Sequence, residues 1–239
     1  CFFINRGNHE TDDMNKIYGF EGECKAKYNE RYVTSDRDSM FVTKLFPSVF
    51  KLFSESFSAL PLAHLIGKKY LVLHGGLFSD DNVTLDDIRK LDRHKQRQPG
   101  QSGLMMEMLW TDPQPEPGRG PSKRGVGMQF GPDVTKRFCE RNGLEAIIRS
   151  HEVRMEGYEE EHDGKCITGT LSCALQIVMG VILTVFVVFS APKYCDMTEN
   201  KGAYINIGSD YKLRFAQFEA VPHPDIKPMV SQPSHLAFL

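Results

Sequence analysis

Short apolar runs separated by polar segments recur along the 239-residue chain. Runs of three to five apolar residues, bounded by polar and turn-forming residues, are typical of buried β-strands. The pattern therefore predicts four strands, at Phe2–Ile4, Tyr70–Leu73, Ala146–Ile148 and Val185–Phe189.

Helical signals fall between these strands. Thr84 is followed by Asp87 in a variant of the capping box, which predicts that a helix begins there. A second helix is predicted over Asp133–Arg141, with Gly143 placed to end it. Loops rich in glycine, proline and polar residues are expected at Gln96–Gly103, at Asp112–Lys123 and after Val221. Strands that alternate with helices indicate an α/β layered domain.

Two stretches fit this pattern poorly. Tyr32–Val49 mixes polar and aromatic residues without a clear period. Ile167–Pro192 carries no charged residue, and Leu171–Val188 within it is about long enough to cross a bilayer as a helix. A core helix or two buried strands would explain the same apolar composition. The sequence leaves the membrane segment and the buried elements as alternatives.

Composition limits the class of protein. Hydrophobic residues make up 41% and charged residues 25%, as in an ordinary globular protein. The formal charge of −2 gives no positive field that would recruit nucleic acid. Six cysteines without a CxxC pair favour reduced thiols and a location in the cytoplasm or nucleus, or on endomembranes if the apolar stretch inserts. The chain begins at Cys1 without methionine and is interpreted as a fragment.

Residues suited to metal or phosphate binding follow the predicted strands. Asn8 and His9 come after the first strand, His74 after the second and His151 after the third. Sites in open α/β sheets lie beyond the carboxyl ends of strands, so we expect these residues to share one crevice. Two imidazoles and the Asn8 carboxamide suit one divalent ion such as manganese, iron or zinc. For any single histidine, a hydrogen-bonded core residue is the alternative.

Two further residues suggest roles in phosphate chemistry. His9 is adjacent to a predicted ligand and cannot easily share its ion, so we interpret it as a proton donor. Arg124 offers a planar guanidinium that can bind two phosphate oxygens. A solvated loop arginine is the alternative for Arg124.

Several segments together resemble the signature motifs of the metal-dependent serine/threonine phosphoprotein phosphatases. The family motifs are matched at Arg6–Glu10, His74–Leu77, Ser190–Pro192 and Tyr194–Cys195. A finer similarity to the type 5 branch covers Gly19–Glu23, Val83–Lys90, Phe130–Lys136 and Ala220–Pro224. The resemblance extends over most of the chain apart from the two irregular stretches.

The resemblance implies a metallophosphoesterase-like fold, a central β-sandwich flanked by helices, incomplete at the N-terminus. It implies a partial catalytic domain over residues 1–222 with inserts at about 32–49 and 169–187, and a tail over 223–239. The implied cofactors are two divalent metal ions at one edge of the sandwich. The ligands of the first metal lie in two upstream motifs, Gly-Asp-x-His-Gly and Gly-Asp-x-Val-Asp-Arg-Gly, that this chain does not contain.

The resemblance also assigns roles to individual residues. It implies that Asn8, His74 and His151 bind the second metal and that His9 is the general acid. It implies that Arg124 and Tyr194 hold the phosphate, which Asn8 also contacts.

The implied reaction is hydrolysis of phosphoserine and phosphothreonine in proteins by in-line attack of a metal-activated water. The implied substrates are phosphoproteins. Chaperone-type partners are expected only through the N-terminal repeat domain of the type 5 branch, which this chain lacks. Without the upstream motifs the chain alone is expected to be nearly inactive. The alternative function is a catalytically inactive splice or truncation product that binds partners or, through Leu171–Val188, a membrane.

Overall fold

A computed structural model describes residues 2–28, 45–169, 174–178, 184–189 and 191–225. Within these ranges the strands are β1 Phe2–Ile4, β2 Ala63–Ile66, β3 Tyr70–Leu73, β4 Asp112–Pro113, β5 Arg119–Pro121, β6 Met128–Phe130, β7 Ala146–Arg149, β8 Tyr158–Glu161, β9 Cys166–Gly169, β10 Ala174–Val178, β11 Thr184–Phe189, β12 Gly202–Ile207 and β13 Leu213–Phe218. The helices are α1 Asp12–Ile17, α2 Phe20–Lys27, α3 Leu45–Ala59, α4 Leu85–Lys90, α5 Leu104–Trp110 and α6 Pro132–Asn142, with a 3₁₀ turn at Tyr194–Asp196.

The chain divides into two compact units. The first contains Cys1–Asn8 and Leu60–Pro222, and the second contains His9–Ala59 and His223–Leu239. All the strands listed above belong to the first unit, together with α4, α5 and α6. Helices α1, α2 and α3 belong to the second unit.

The described strands of the first unit form three sheets. One has the order β1-β10-β11-β12-β13, with antiparallel neighbours throughout. The second has the order β2-β3-β7-β9-β8, in which β3, β7 and β9 run parallel and the two edge strands run antiparallel. A small third sheet has the order β4-β6-β5. The parallel strands β3 and β7 carry the histidine-bearing segments at adjacent carboxyl ends.

Alternating side chains of the second sheet build two cores. Tyr70 and Val72 of β3 pack with Ile205 and Ile207 of β12, so this core lies between the two five-stranded sheets. Leu71 and its alternate neighbours face the other way, into a core shared with α5 and α6. Burial of each such aliphatic side chain contributes about 1.5–3 kcal/mol. The predicted β-sandwich flanked by helices is confirmed.

Most of the predicted local structure is confirmed. The four predicted strands correspond to β1, β3, β7 and β11. The Thr84 side chain accepts from the Asp87 backbone, and the Asp87 carboxylate accepts from the Thr84 backbone, so the capping box of α4 is complete. Gly143 ends α6 in the left-handed conformation, with φ 65°. The prediction of a loop over 112–123 is wrong in part, because β4 and β5 form within it by pairing with β6.

Of the two alternatives for Leu171–Val188, the described residues form strands, and the membrane helix is wrong over those residues. Ala174–Val178 and Thr184–Val188 lie in β10 and β11, which pair with each other, while Leu171–Cys173 and Met179–Leu183 lie outside the described residues. Hydropathy alone does not distinguish an apolar helix from apolar strands, and the β-branched and aromatic residues of β11 favour the extended form. Sheet pairing then satisfies their backbone groups. In the described ranges no helix has the length and apolar character needed to span a bilayer.

The second unit is held together by aromatic contacts between helices. The Phe20 ring of α2 lies 5.1 Å from that of Phe53 and 5.7 Å from that of Phe57, both in α3. Ser54 donates a hydrogen bond of 2.6 Å to Asp12 at the start of α1. Of the predicted insert at 32–49, residues 45–49 begin α3 and the rest lies outside the described residues.

Candidate metal and phosphate site

The two histidines come together because their strands are parallel neighbours. Leu71 of β3 pairs with Ile147 of β7, so both strands end at the same edge of the sheet. His74 follows β3 directly, and Ser150, which follows β7, donates its backbone N–H to the His74 carbonyl at 3.1 Å. His151 comes next, with a positive φ of 80°, a conformation that costs energy in a non-glycine residue and is often found at functional sites.

Three donor atoms of the predicted ligands converge. Nε2 of His74 lies 2.9 Å from Oδ1 of Asn8 and 3.2 Å from Nδ1 of His151. Two atoms that bind one ion at about 2.1 Å stand about 3.0–3.4 Å apart in right-angled or tetrahedral geometry. The three side chains are 4–7% exposed. Their spacing and chemistry fit one divalent ion.

Neighbouring groups fix the two imidazole rings. Ser150 Oγ lies 3.1 Å from Nδ1 of His74, the ring nitrogen that faces away from the cluster. The Trp110 ring meets the His151 ring edge-on, with centroids 5.7 Å apart. A partner on the second ring nitrogen is the usual means of orienting a metal-binding histidine. The cluster is therefore held in place before any ion binds.

The donor set consists of two imidazoles and an amide. Within the described ranges, histidine, cysteine and carboxylate side chains form no group of three placed to bind an ion. The candidate metal site thus depends on the amide oxygen of Asn8 as its third ligand.

Arg124 lies in the loop that joins β5 and β6, and it is anchored rather than solvated. Its Nε donates to Asp112 Oδ2 at 2.7 Å, and its Nη2 donates to the His151 carbonyl at 3.0 Å. Asp112 is itself held in β4 through its pairing with β6. These contacts place the guanidinium beside a predicted metal ligand.

No role was predicted from the sequence for Asp112 or Arg149, the two charged residues that connect to Arg124. Arg149 is fully buried, and its Nη2 donates to Asp112 Oδ1 at 2.7 Å while its Nη1 donates to Glu152 Oε2 at 2.6 Å. Asp112 lies in a predicted loop, where a buried carboxylate was not expected. The available signal was Arg149 at the end of an apolar strand, because a charge there needs a partner.

His9 and Tyr194, the remaining predicted site residues, lie on other segments of the chain. His9 belongs to the second unit, where its ring stacks on Tyr18 with centroids 4.5 Å apart. Tyr194 is half-buried and opens the 3₁₀ turn after β11. Its backbone N–H donates to Asn200 Oδ1 at 2.9 Å. Their predicted catalytic and phosphate-binding roles remain predictions.

Comparison with known proteins identifies the family. The profile of the calcineurin-like phosphoesterases matches residues 2–155. The chain belongs to the calcineurin-like phosphoesterase family. The family predicted from the sequence motifs is thereby confirmed, and so is its mixed α/β fold.

Relatives of this calcineurin-like phosphoesterase include serine/threonine-protein phosphatases. A serine/threonine-protein phosphatase T of Aspergillus oryzae is 74% identical over 95% of this chain and 40% of its own length. Serine/threonine-protein phosphatase 5 of Homo sapiens is 53% identical over 95% of this chain and 38% of its own length. The chain therefore spans about two fifths of the length of these relatives.

A solved structure agrees with this similarity. A Saccharomyces cerevisiae protein serine/threonine phosphatase, described as similar to human phosphatase PP5, is 43% identical and superposes with a TM-score of 0.72. The match covers 95% of this chain and 62% of that one. Membership of the metallophosphoesterases implies divalent metal ions, in agreement with the donor set of Asn8, His74 and His151.

Proposed function

We propose that this chain forms part of the catalytic domain of a metal-dependent protein phosphatase that hydrolyses phosphoserine and phosphothreonine in proteins. One observation carries the proposal: a buried cluster with the chemistry of a metal site lies beside an anchored arginine, and its two histidines follow the parallel strands β3 and β7. The names of the relatives support it, and they favour it over a catalytically inactive binding module.

The proposal assigns one divalent ion to Asn8, His74 and His151. When bound, such a cation neutralises charge on the phosphoryl oxygens and lowers the pKa of a water molecule. Imidazole and amide ligands suit manganese, iron or zinc. The protein holds these ligands close together, with the outward nitrogen of His74 fixed by Ser150.

Arg124 binds the phosphate in this proposal. A guanidinium presents two parallel N–H groups to two phosphate oxygens, and its charge strengthens both hydrogen bonds. The contact between Arg124 and the His151 carbonyl supports this role because it places that charge next to the metal site. Tyr194 and the amide of Asn8 are assigned to the same phosphate from their motif positions.

His9 acts as the proton donor to the leaving oxygen. A serine or threonine alkoxide is a poor leaving group, so protonation of that oxygen in the transition state contributes about 10²–10⁴-fold. This assignment is supported by the position of His9 in the Arg6–Glu10 motif.

The substrates in this proposal are phosphoproteins in the cytoplasm and nucleus. Chaperone-type partners would bind through a repeat domain beyond this chain. The relatives' names support phosphoprotein substrates, and the thiol content supports the location. The chaperone-type partners are assigned only from the resemblance to the type 5 branch.

The test is hydrolysis of a phosphoserine peptide by this chain fused to the segment that precedes the matched region in the Aspergillus oryzae relative. We expect manganese-dependent turnover by the fusion. The 239-residue chain alone is the control and is expected to be nearly inactive. His9→Asn should lower kcat about 10²–10⁴-fold with a smaller change in KM. A fusion that binds manganese and peptide but shows no turnover would support the inactive binding module.

A further inference from the structure

Arg149 carries a full charge in the interior of the first unit. It has no exposed surface, and its guanidinium donates in three directions. Nε donates to the Gly75 carbonyl at 2.5 Å, Nη2 to Asp112 at 2.7 Å and Nη1 to Glu152 at 2.6 Å. A buried charge is costly unless its donors are matched in this way. The geometry of Arg149 therefore constrains each of these partners.

Asp112 is shared between two arginines. Its Oδ1 accepts from Arg149 and its Oδ2 accepts from Nε of Arg124, both at 2.7 Å. The Asp112 side chain is 7% exposed and that of Arg124 is 31% exposed. Rotation of the Asp112 carboxylate would break its hydrogen bond to Arg149. The contact with Arg149 therefore fixes the direction in which Oδ2 points toward Arg124.

We propose that Arg149 is a positioning residue for phosphate binding, which holds Asp112 so that Asp112 orients Arg124. The inference deepens the proposed function, since it rests on Arg124 binding phosphate. Bidentate binding needs a guanidinium in one defined plane, and two fixed contacts supply that plane: Asp112 at Nε and the His151 carbonyl at Nη2. Loss of Arg149 releases the first contact.

Arg154 provides a matched control. It is another arginine paired with carboxylates, with its guanidinium 3.2 Å from Glu152, 2.9 Å from Glu159 and 3.0 Å from Glu161. Replacement of Arg154 by lysine perturbs Glu152, a partner that Arg149 also contacts, but it removes none of the contacts that join Arg149, Asp112 and Arg124.

The first experiment measures exchange of the Arg124 Nε–H with solvent by nitrogen-15 NMR of the 239-residue chain. The resonance is assigned by its loss in Arg124→Ala. A lysine at position 149 has its three donors on a single nitrogen, so it cannot reproduce the planar arrangement in which Nε, Nη2 and Nη1 of Arg149 each meet a different partner. We expect exchange about tenfold faster in Arg149→Lys than in the wild type or in Arg154→Lys, because the hydrogen bond opens more often. Equal exchange in Arg149→Lys and the wild type would overturn the proposal.

Asp112→Asn keeps the test decisive if Arg149→Lys does not fold. Asparagine has an oxygen at only one of the two positions that face the arginines, and we expect that oxygen to face Arg149, because an unpaired donor costs more where it is fully buried. The amide NH₂ then faces Arg124 Nε, where two donors oppose each other. We expect the same faster exchange of the Arg124 Nε–H, and unchanged exchange would overturn the proposal.

The second experiment is a double-mutant cycle on binding of inorganic phosphate to the manganese-loaded chain. We expect Arg149→Lys and Arg124→Ala each to weaken binding about tenfold, and the double variant to be no weaker than Arg124→Ala alone. Losses that multiply to about a hundredfold would mean that Arg149 acts independently of Arg124, and the positioning role would be overturned. If the wild-type chain binds no phosphate, the cycle is measured on the fusion with the upstream segment, and absence of phosphate binding there contradicts the proposed function. The exchange measurement decides the positioning of Arg124 in either case.

Discussion

Two histidine environments in the first unit differ in what surrounds the rings. His162 is half-buried, with Nε2 2.9 Å from the Gln114 carbonyl and Nδ1 2.8 Å from Thr135 Oγ1. At the other site, Nε2 of His74 faces Nδ1 of His151 at 3.2 Å and the amide oxygen of Asn8. Both ring nitrogens of His162 have a hydrogen-bond partner in the protein. By contrast, His74 and His151, together with Asn8, direct three electron-pair donor atoms toward one point.

The difference shows that burial alone does not separate a structural histidine from a proposed metal ligand. At His162 the carbonyl requires a hydrogen on Nε2, so Nδ1 accepts from the Thr135 hydroxyl and the ring is satisfied while neutral. At the other site, Nε2 of His74, Nδ1 of His151 and Oδ1 of Asn8 lie close together, and one cation can accept an electron pair from each of them. The chemistry of the partners separates the structural role from the ligand role.

The largest expected effect is loss of a metal ligand. His74→Ala and His151→Ala should each weaken manganese binding by more than the roughly 10–100-fold that loss of an outer partner costs. Isothermal titration of manganese into the 239-residue chain measures the affinity. His162→Ala should leave the manganese affinity unchanged. If that variant lost as much affinity as His74→Ala, the distinction between the two histidine environments would be wrong.

His162→Ala should act on stability instead. Removal of the ring leaves the Gln114 carbonyl and the Thr135 hydroxyl without this partner, at a cost of about 1–3 kcal/mol. Urea unfolding followed by circular dichroism measures the free energy. The exposed His94 is a matched control, and His94→Ala should leave stability within about 0.5 kcal/mol of the wild type. Equal stability of the two variants would contradict a structural role for His162.

Ser150→Ala tests the partner that orients His74. Without the hydroxyl near Nδ1, the ring is less firmly held, and manganese affinity should fall about tenfold. Ser209→Ala, an exposed serine, is the control. Unchanged affinity in Ser150→Ala would show that packing alone, including the His151 ring, orients His74.

The smallest expected effect is a pH dependence of stability due to His162. Burial lowers the pKa of His162 below its usual value of 6.5. Above pH 6.5 both the folded and unfolded forms are neutral, so the stability from this ring is fully present. As pH falls through 6.5 the unfolded chain takes up the proton first, and stability declines.

The measurement compares the wild type with His162→Gln in thermal unfolding between pH 7.5 and about 5. His64 contributes in the same direction, because burial also lowers its pKa, so only the difference between the two proteins reports on His162. Identical pH profiles would show that His162 has the same pKa in the folded and unfolded chain.

The sequence was sufficient for features governed by neighbours along the chain. The capping box of Thr84 and Asp87 and the end of α6 at Gly143 depend on residues three or four positions apart, and both are present. Short apolar strands followed by Asn8, His74 and His151 also predicted a shared crevice. For His74 and His151 the reason is that the parallel strands β3 and β7 end at one edge, whereas Asn8 follows β1 of the other five-stranded sheet.

Features that depend on distant partners needed the tertiary structure. The apolar composition of Leu171–Val188 is equally compatible with a helix or with strands, and the pairing of β10 with β1 and of β11 with β12 decided it over the described residues. Likewise, nothing near Arg149 in sequence marks Asp112 as its partner, 37 positions away. Local propensities act over a few residues, whereas backbone pairing and buried ion pairs join segments far apart in the chain. The sequence therefore determined which residues could form the site, and only the tertiary structure decided which charges hold them in place.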